Sequence, residues 1–273
     1  NVAIGYQSLK TLNAGADGFN TAVGYLSGTA VTTGIQNTLI GSEAGDALTT
    51  GSRNVAVGRN SLSADTLGSR STALGRNSLA SQNFTTATDS NNVAVGYNSG
   101  SSVTTGVSNT LVGSNAGDAL TTGDNNVAIG FEALSTEDAN GDNVAVGYRA
   151  LKDLNAGSDS FQTSVGYQAG MSVTTGIRNT LIGGLVGDAL TQGAQNTALG
   201  YGVLSGDTLG SKSVGIGYEV LGSQNFTTAT DSHNTAVGHA AGNAVTTGTQ
   251  NTFIGSAAGD AVTDADWNVA LGY

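Results

Sequence analysis

The sequence contains no cysteine and no proline, and it has only nine Lys and Arg residues. Without cysteine, disulfide bridges and thiolate metal sites are excluded. The 42 glycines do not indicate collagen, because collagen combines glycine at every third position with abundant proline. Twenty Asp and Glu residues leave a net charge of −11, whereas binding nucleic acid requires Lys and Arg to displace counterions from phosphates. We therefore predict no nucleic-acid partner.

Long apolar runs are missing too. No stretch approaches the roughly 20 apolar residues of a membrane span, so we predict no membrane insertion within this segment. Charged residues make up 11% of the chain, and Val, Ile and Thr are frequent, which is unlike a disordered protein. The chain does not begin with Met and both ends fall inside a repeated phrase, so we expect a fragment of a longer polypeptide.

What the sequence does contain is one phrase, used again and again. NTLIGSEAGDALTTG at residues 37–51 returns almost unchanged at 109–123, and as variants at 179–193 and 251–265. Its first five residues follow the pattern Asn–Val/Thr–Ala–aliphatic–Gly, and the spacing between copies is 17, 19 or 21 residues. Sixteen copies begin at residues 1, 20, 37, 54, 71, 92, 109, 126, 143, 162, 179, 196, 213, 234, 251 and 268.

Each position within a copy has its own preference. Position 1 is Asn in thirteen copies, the exceptions being Ser71, Gln162 and Ser213, and position 4 is always Ile, Val or Leu. Position 5 is Gly throughout, and position 9 follows the order Leu, Gly, Gly, Leu. We predict a straight structural column of position-5 glycines, which in the first half are Gly5, Gly24, Gly41, Gly58, Gly75, Gly96, Gly113 and Gly130.

This pattern predicts an all-β fold. Glycine at such density would break a helix, whereas alternation places positions 2 and 4 on one face of a strand and position 3 on the other. We predict a parallel β-roll, or β-solenoid, of about sixteen short rungs: rungs 1–8 in residues 1–142 and rungs 9–16 in 143–273, forming one continuous, internally duplicated fibrous domain. Extra residues in the longer copies should bulge as loops carrying Phe19, Phe84, Phe161 and Phe226.

A family resemblance follows from these cores. NVAIGY, NTAVGY, NVAVGR and NTALGY resemble the head repeats of trimeric autotransporter adhesins. Combined with the turn in VTTGIQNTLIG, they look even more like fibre shafts of bacteriophage tails. The resemblance covers the whole chain. It implies a left-handed coil, a homotrimer, and a place outside a cell or on a virion, serving attachment.

Two sets of side chains are candidate surface contacts. All eight tyrosines, Tyr97 and Tyr148 among them, occupy position 6 and form either a row that stacks on sugar rings or a ladder of mutually packed aromatics. Arginines at positions 17 and 6 of neighbouring rungs should form one basic patch, which either holds an anionic glycan or is a solvated, salt-bridged face. These arginines are Arg53, Arg59, Arg70 and Arg76.

Position 3 supplies the candidate trimer core. It is mostly Ala but becomes large in the third rung of every block, at Leu39, Leu111, Leu181 and Phe253. Either these side chains meet their symmetry mates around a threefold axis, or they fill a wider part of each chain's own roll. We expect the first.

We predict no catalytic residue, no metal and no cofactor. His233 and His239 are the only histidines, no Ser–His–Asp order recurs, and the GIG at 215–217 is only a rung core. The third rung of each four-rung block has an Asp at position 10. These residues are about four rungs, near 19 Å, apart, which is too far to share a calcium ion, so we interpret them as turn residues. These residues are Asp46, Asp118, Asp188 and Asp260.

The function expected from the sequence is structural and adhesive rather than enzymatic. The first choice is a phage tail-fibre shaft on the virion surface, and the alternative is the head of a bacterial adhesin on the outer cell surface. Its partners would be copies of itself and a glycan or protein receptor on a cell. An ice-binding or glycan-binding solenoid is a remote alternative, since the Thr-Thr-Gly turns do not form an unbroken array.

Overall fold

The structure, a computed structural model, describes residues 1–15 and 17–273 and consists of strands, turns and loops. These residues form no helix, and so none that is long and apolar enough to cross a membrane. The chain divides into two compact units, Asn1–Gly141 and Asp142–Tyr273. Each unit is a parallel β-solenoid of about eight turns, which confirms the predicted fold class.

The first unit carries eight strands of a parallel sheet and one small additional pair. The sheet strands are β1 (Val2–Ile4), β2 (Thr21–Val23), β3 (Thr38–Ile40), β4 (Val55–Val57), β6 (Thr72–Leu74), β8 (Val93–Val95), β9 (Thr110–Val112) and β10 (Val127–Ile129). The small parallel pair is β5 (Gly68–Ser69) and β7 (Thr88–Asp89).

The second unit has the same composition. Its sheet strands are β11 (Val144–Val146), β12 (Thr163–Val165), β13 (Thr180–Ile182), β14 (Thr197–Tyr201), β16 (Val214–Tyr218), β18 (Thr235–His239), β19 (Thr252–Ile254) and β20 (Val269–Leu271). The small parallel pair is β15 (Gly210–Ser211) and β17 (Thr230–Asp231).

Pairing within each unit keeps identical positions side by side. Thr38 at position 2 of its copy pairs with Val55 at position 2 of the next, and Gly200 at position 5 pairs with Gly217. The register holds across the 21-residue copy as well, since Thr72 pairs with Val93. The additional residues of long copies are therefore accommodated outside the sheet.

Buried asparagines link successive turns at position 1. Gln36, just before Asn37, has a left-handed φ of 60°, and the Asn37 amide then donates to the side chain of Asn20, at 2.9 Å from Oδ1, instead of to a backbone carbonyl. Asn37 Nδ2 donates to the carbonyl of Gly51, 2.9 Å away at the end of the same turn. One amide side chain thus bridges two turns and closes its own.

The position-5 glycines stack with backbone against backbone. Gly113 has a φ of +137°, and a Cβ added there would lie 2.3 Å from the carbonyl oxygen of Gly130. The same close approach recurs from Gly5 to Gly24 and from Gly24 to Gly41. Any side chain at this position would have to displace the backbone of the neighbouring turn.

The bulky residues at position 3 lie inside the roll, so the trimer-core prediction for them is wrong. Leu39, Leu111, Leu181 and Phe253 are all fully buried within the single chain. Their space is provided by glycines at position 9: a methyl added at Gly100 or Gly117 would lie 2.6 or 2.7 Å from a Leu111 methyl carbon. Where position 9 is Leu, as in the turns of Ala56 and Ala73, position 3 is small.

The prediction for the longer copies is only half right. Phe19 and Phe161 are 66% and 50% exposed, but Phe84 and Phe226 are 5% and 4% exposed and belong to the core. The Phe84 amide lies 3.4 Å from Oδ1 of Asp65, a buried acceptor in the preceding turn. This contact draws the beginning of the insertion inward.

Core complementarity can be tested with a double-mutant cycle. Gly117→Ala should cost about 1–3 kcal/mol of unfolding free energy because the new methyl overlaps Leu111, and it should cost much less in a Leu111→Ala background. Backbone strain is controlled by Gly157→Ala, because Gly157 has a φ of +69° and no atom within 4 Å of an added Cβ. Urea denaturation measures all the variants, and equal costs in both backgrounds would contradict the model of interlocking positions 3 and 9.

The glycine column makes a second stability prediction. Gly113→Val should destabilise the unit by well over the roughly 1 kcal/mol typical of point substitutions, because backbone rather than a side chain obstructs it. Ala94→Ser is the matched control, since Ser164 already occupies the equivalent buried position. Thermal unfolding followed by circular dichroism compares the two, and indistinguishable melting would refute the prediction.

Candidate functional site

One face of the main sheet points away from the interior in both units. We call the residue immediately before position 1 the closing residue. The face comprises the four columns of residues at positions 2, 4 and 6 and at the closing residue, and is called the outer face. Alternation sends positions 1 and 3 inward, and both are buried in nearly every turn. The sheet therefore turns its alanines inward and its aliphatic residues outward.

The middle of the outer face is apolar and uncharged. Position 2 is Val or Thr and position 4 is Ile, Val or Leu in all sixteen copies, without one charged residue. Ile40, Leu74 and Ile216 are 38%, 40% and 37% exposed even with neighbouring turns on both sides. A continuous apolar strip of this kind usually marks an interaction surface. Sequence reasoning missed that position 4 faces outward.

Position 6 is an aromatic edge whose rings mostly stack on each other. Tyr6 and Tyr25 have ring centroids 5.4 Å apart, and Tyr218 lies 5.2 Å from the ring of His239. The candidate Tyr148 stacks at 5.4 Å on Tyr167. These contacts occupy ring faces that a sugar would need, so they favour a packed ladder over a row of sugar platforms.

Tyr97 is the less enclosed of the two tyrosine candidates. The Arg76 guanidinium lies 5.6 Å from its ring centroid, and the following turn presents only Ser114 at position 6. Tyr97 is 45% exposed.

The four arginines form two pairs rather than the single patch expected from sequence. Arg53 and Arg70 are closing residues of successive turns, whereas Arg59 and Arg76 stand at position 6. The two pairs border the outer face on opposite edges, six residues or about 20 Å of extended chain apart. Arg70 pairs with Asp89 at 3.2 Å and Arg53 Nε donates to Gln36 at 3.1 Å.

A polar layer that the sequence analysis did not predict lies inside each unit. Asp65 and Gln82 occupy position 12, which is Leu or Val in most turns, and both are fully buried. Gln82 Nε2 donates to Asp65 Oδ2 at 2.7 Å and to Ser71 Oγ at 2.8 Å, and Gln82 Oε1 accepts from Asn92 at 2.9 Å. Gln82 thus reaches the gap that Ser71 leaves in the asparagine column.

The second unit repeats this layer with Asp207, Gln224, Ser213 and Asn234. Burial raises the pKa of the Asp65 and Asp207 carboxyls, although hydrogen bonds from Gln82 or Gln224 and from backbone amides partly oppose the shift. A signal for the layer was present in the sequence: the polar residues at position 12 and the Ser at position 1 fall in neighbouring turns of both halves.

Three of the recurrent Asp residues at position 10 also have raised pKa values because burial removes solvent from their carboxyls; these are Asp46, Asp118 and Asp188. Their own backbone amides partly oppose the shift, as expected of turn residues, although Oδ1 of each carboxyl is buried without a hydrogen-bond partner. In the described part of the chain, no three His, Asp or Glu side chains come together as metal ligands.

Comparison with protein families, with curated proteins and with solved structures finds no match to this chain.

The buried carboxyls make stability depend on pH. Their pKa values in the folded state lie above the unfolded value of 3.8, so their stabilising contribution is complete below that pH and is lost as the pH rises through the folded pKa. The melting temperature should therefore decrease as the pH is raised from acidic to neutral. Asp65→Asn should flatten this slope, whereas Asp159→Asn, at an exposed position, should leave it unchanged. An unaltered slope in Asp65→Asn would contradict the assignment.

Proposed function

We propose that the chain is a segment of a homotrimeric attachment fibre, and specifically of a phage tail-fibre shaft. One observation carries this proposal: the outer face presents an uncharged aliphatic strip in every turn of both units. The interior has no room for these side chains, because buried Leu, Val and Ala side chains already fill it. The aliphatic strip is therefore available to pack against another molecule. A second copy of the same chain offers a strip of the same length and the same repeat.

Cyclic assembly suits the geometry of this strip. Copies related by rotation about an axis parallel to the stacking direction keep equal turns at equal heights, so a repeat on one copy meets the same repeat on the next. Burial of apolar surface contributes about 25 cal/mol per Å², so each additional turn of the strip adds to the free energy of association. Trimeric arrangement and left-handed coiling are the features that the resemblance to tail-fibre shafts and adhesin heads implies.

In this proposal residues 1–142 and 143–273 form one continuous shaft, exposed on the virion surface. It carries a host-attachment surface or holds one away from the particle, and its partners are two further copies and a cell-surface glycan or protein. The regular turns, fully used for stacking, suit a spacer rather than a catalyst. On a bacterial surface the same architecture would serve as an adhesin head.

Sedimentation equilibrium and native mass measurement test the assembly. The wild-type chain should be a trimer, and Val95→Glu with Val112→Glu should dissociate it, because both residues stand at position 4 of the strip. Thr105→Glu with Thr122→Glu is the matched control: it adds the same charges to the same two turns at exposed sites outside the outer face. A monomeric wild type in dilute solution would refute the proposed trimer, and dissociation of the control would refute the choice of face.

A further inference from the structure

Residues on the two edges of the outer face match in type although they cannot touch within one chain. Arg53 and Arg59 flank β4, and Arg70 and Arg76 flank β6. Beyond the arginines, the only two histidines of the chain flank one strand: His233 closes one turn and His239 stands at position 6 of the next. The members of each such pair are six residues apart, which corresponds to at most about 20 Å.

A cyclic assembly gives this matching a cause. When copies associate through the aliphatic strip, the closing edge of one copy meets the position-6 edge of the next at the same height. Residues that are far apart in one chain become neighbours across the seam between copies. Phe19 and Phe161, exposed as closing residues, would then meet Tyr25 and Tyr167.

At β4 and β6 this seam collects like charges. Arg53 and Arg70 of one copy approach Arg59 and Arg76 of the next, and in residues 1–141 no position of the outer face carries Asp or Glu. Asp89 balances Arg70, but the Arg59 side chain forms no ion pair or hydrogen bond with any described residue. Four guanidinium groups and one carboxylate would oppose association unless an anion lies between them.

The roll itself does not require these arginines. The equivalent positions in the second unit, offset by 142 residues, hold Gln195, Tyr201, Lys212 and Tyr218 on the same strand pairing. The first unit has these four arginines and its duplicate folds without them. Their role is therefore something other than folding.

The anion should be short, and its oxygens should accept two hydrogen bonds from each guanidinium group. Guanidinium groups bind sulfate and carboxylate oxygens in bidentate geometry. The two charged turns extend over only about 10 Å of the stacking direction, and the chain around them is strongly acidic, which disfavours a long polyanion such as nucleic acid. A few acidic sugar units match this length.

We propose that the seam between copies at β4 and β6 is a binding site for an anionic glycan, formed by Arg53 and Arg70 of one copy and Arg59 and Arg76 of the next. The site rests on the proposed trimer, because a single chain holds only half of it on each edge. It gives the fibre a sugar-binding site on each seam of its first unit, and none at the equivalent height of the second.

Titration calorimetry with a short sulfated heparin fragment tests the site. The wild-type trimer should bind one fragment per seam, more weakly as salt is added, because the charges are partly exposed. Arg59→Tyr with Arg76→Tyr copies the second unit and should therefore fold; it should weaken binding at least tenfold. Arg53→Gln tests the arginines on the opposite edge of the outer face and should also weaken binding of the fragment. The control Arg178→Gln removes an exposed closing arginine that faces Gly184 at position 6, and should change affinity less than twofold.

The outcomes separate this proposal from the trimer itself. Sedimentation of the same samples shows whether each variant remains trimeric, as expected when repulsive charges are removed. A trimer that binds no heparin fragment, or binds it equally after Arg59→Tyr with Arg76→Tyr, overturns the site alone. A monomeric wild type overturns both proposals. Equal affinity for inorganic sulfate would make this a site for a free anion and overturn the glycan assignment.

Discussion

Every turn of the solenoid depends on the hydrogen bonds of one buried amide side chain. Because the residue before position 1 turns into the left-handed region, the next backbone amide loses its partner in the sheet, and leaving it unpaired would cost about 1–3 kcal/mol. Asn109 shows the remedy: its amide donates to Asn92 Oδ1 at 2.9 Å, and its own Nδ2 donates to Gly123 at 2.8 Å. Substitutions in this column must therefore be compensated. Where Ser71 is too short, Gln82 crosses the core to reach it, and Asp65 accepts the remaining proton of Gln82.

The second constraint is volume, and it explains why the phrase repeats every four turns. A roll this narrow admits one large side chain at position 3 only if position 9 is Gly in the same turn and in the preceding one. Leu39 therefore lies between Gly28 and Gly45, and Phe253 between Gly242 and Gly259. The αL conformation alone does not demand these glycines, because Leu134 adopts a φ of 52° at the same position where Gly117 has 56°.

The fold could be predicted from the sequence because its determinants are local and repeated. Strand positions, parallel register and asparagine stacking all follow from one five-residue core seen sixteen times. Which face lies inside could not be predicted by alternation, since period two separates positions 2 and 4 from position 3 without orienting them. The aliphatic residues at position 4 suggested that positions 2 and 4 line the interior. The co-occurrence of Leu111 with Gly117 was the signal, not used, that position 3 lies there instead. The four arginines were identified from the sequence, but as one patch, whereas the strand between the closing residue and position 6 separates them into two pairs.

That orientation also links the stability of the chain to its proposed assembly. The narrow roll buries Leu, Val and Ala side chains, yet much of its apolar surface, including Ile129, Leu199 and Ile254, stays 38–45% exposed. Hydrogen bonds of the asparagine and glycine columns fix the shape of each turn but contribute little net free energy, because the unfolded chain makes equivalent bonds with water. Covering the aliphatic strip is therefore the largest stabilising step still open to the folded chain. Association through this face would accordingly add stability in proportion to the number of turns, which is what a long fibre requires.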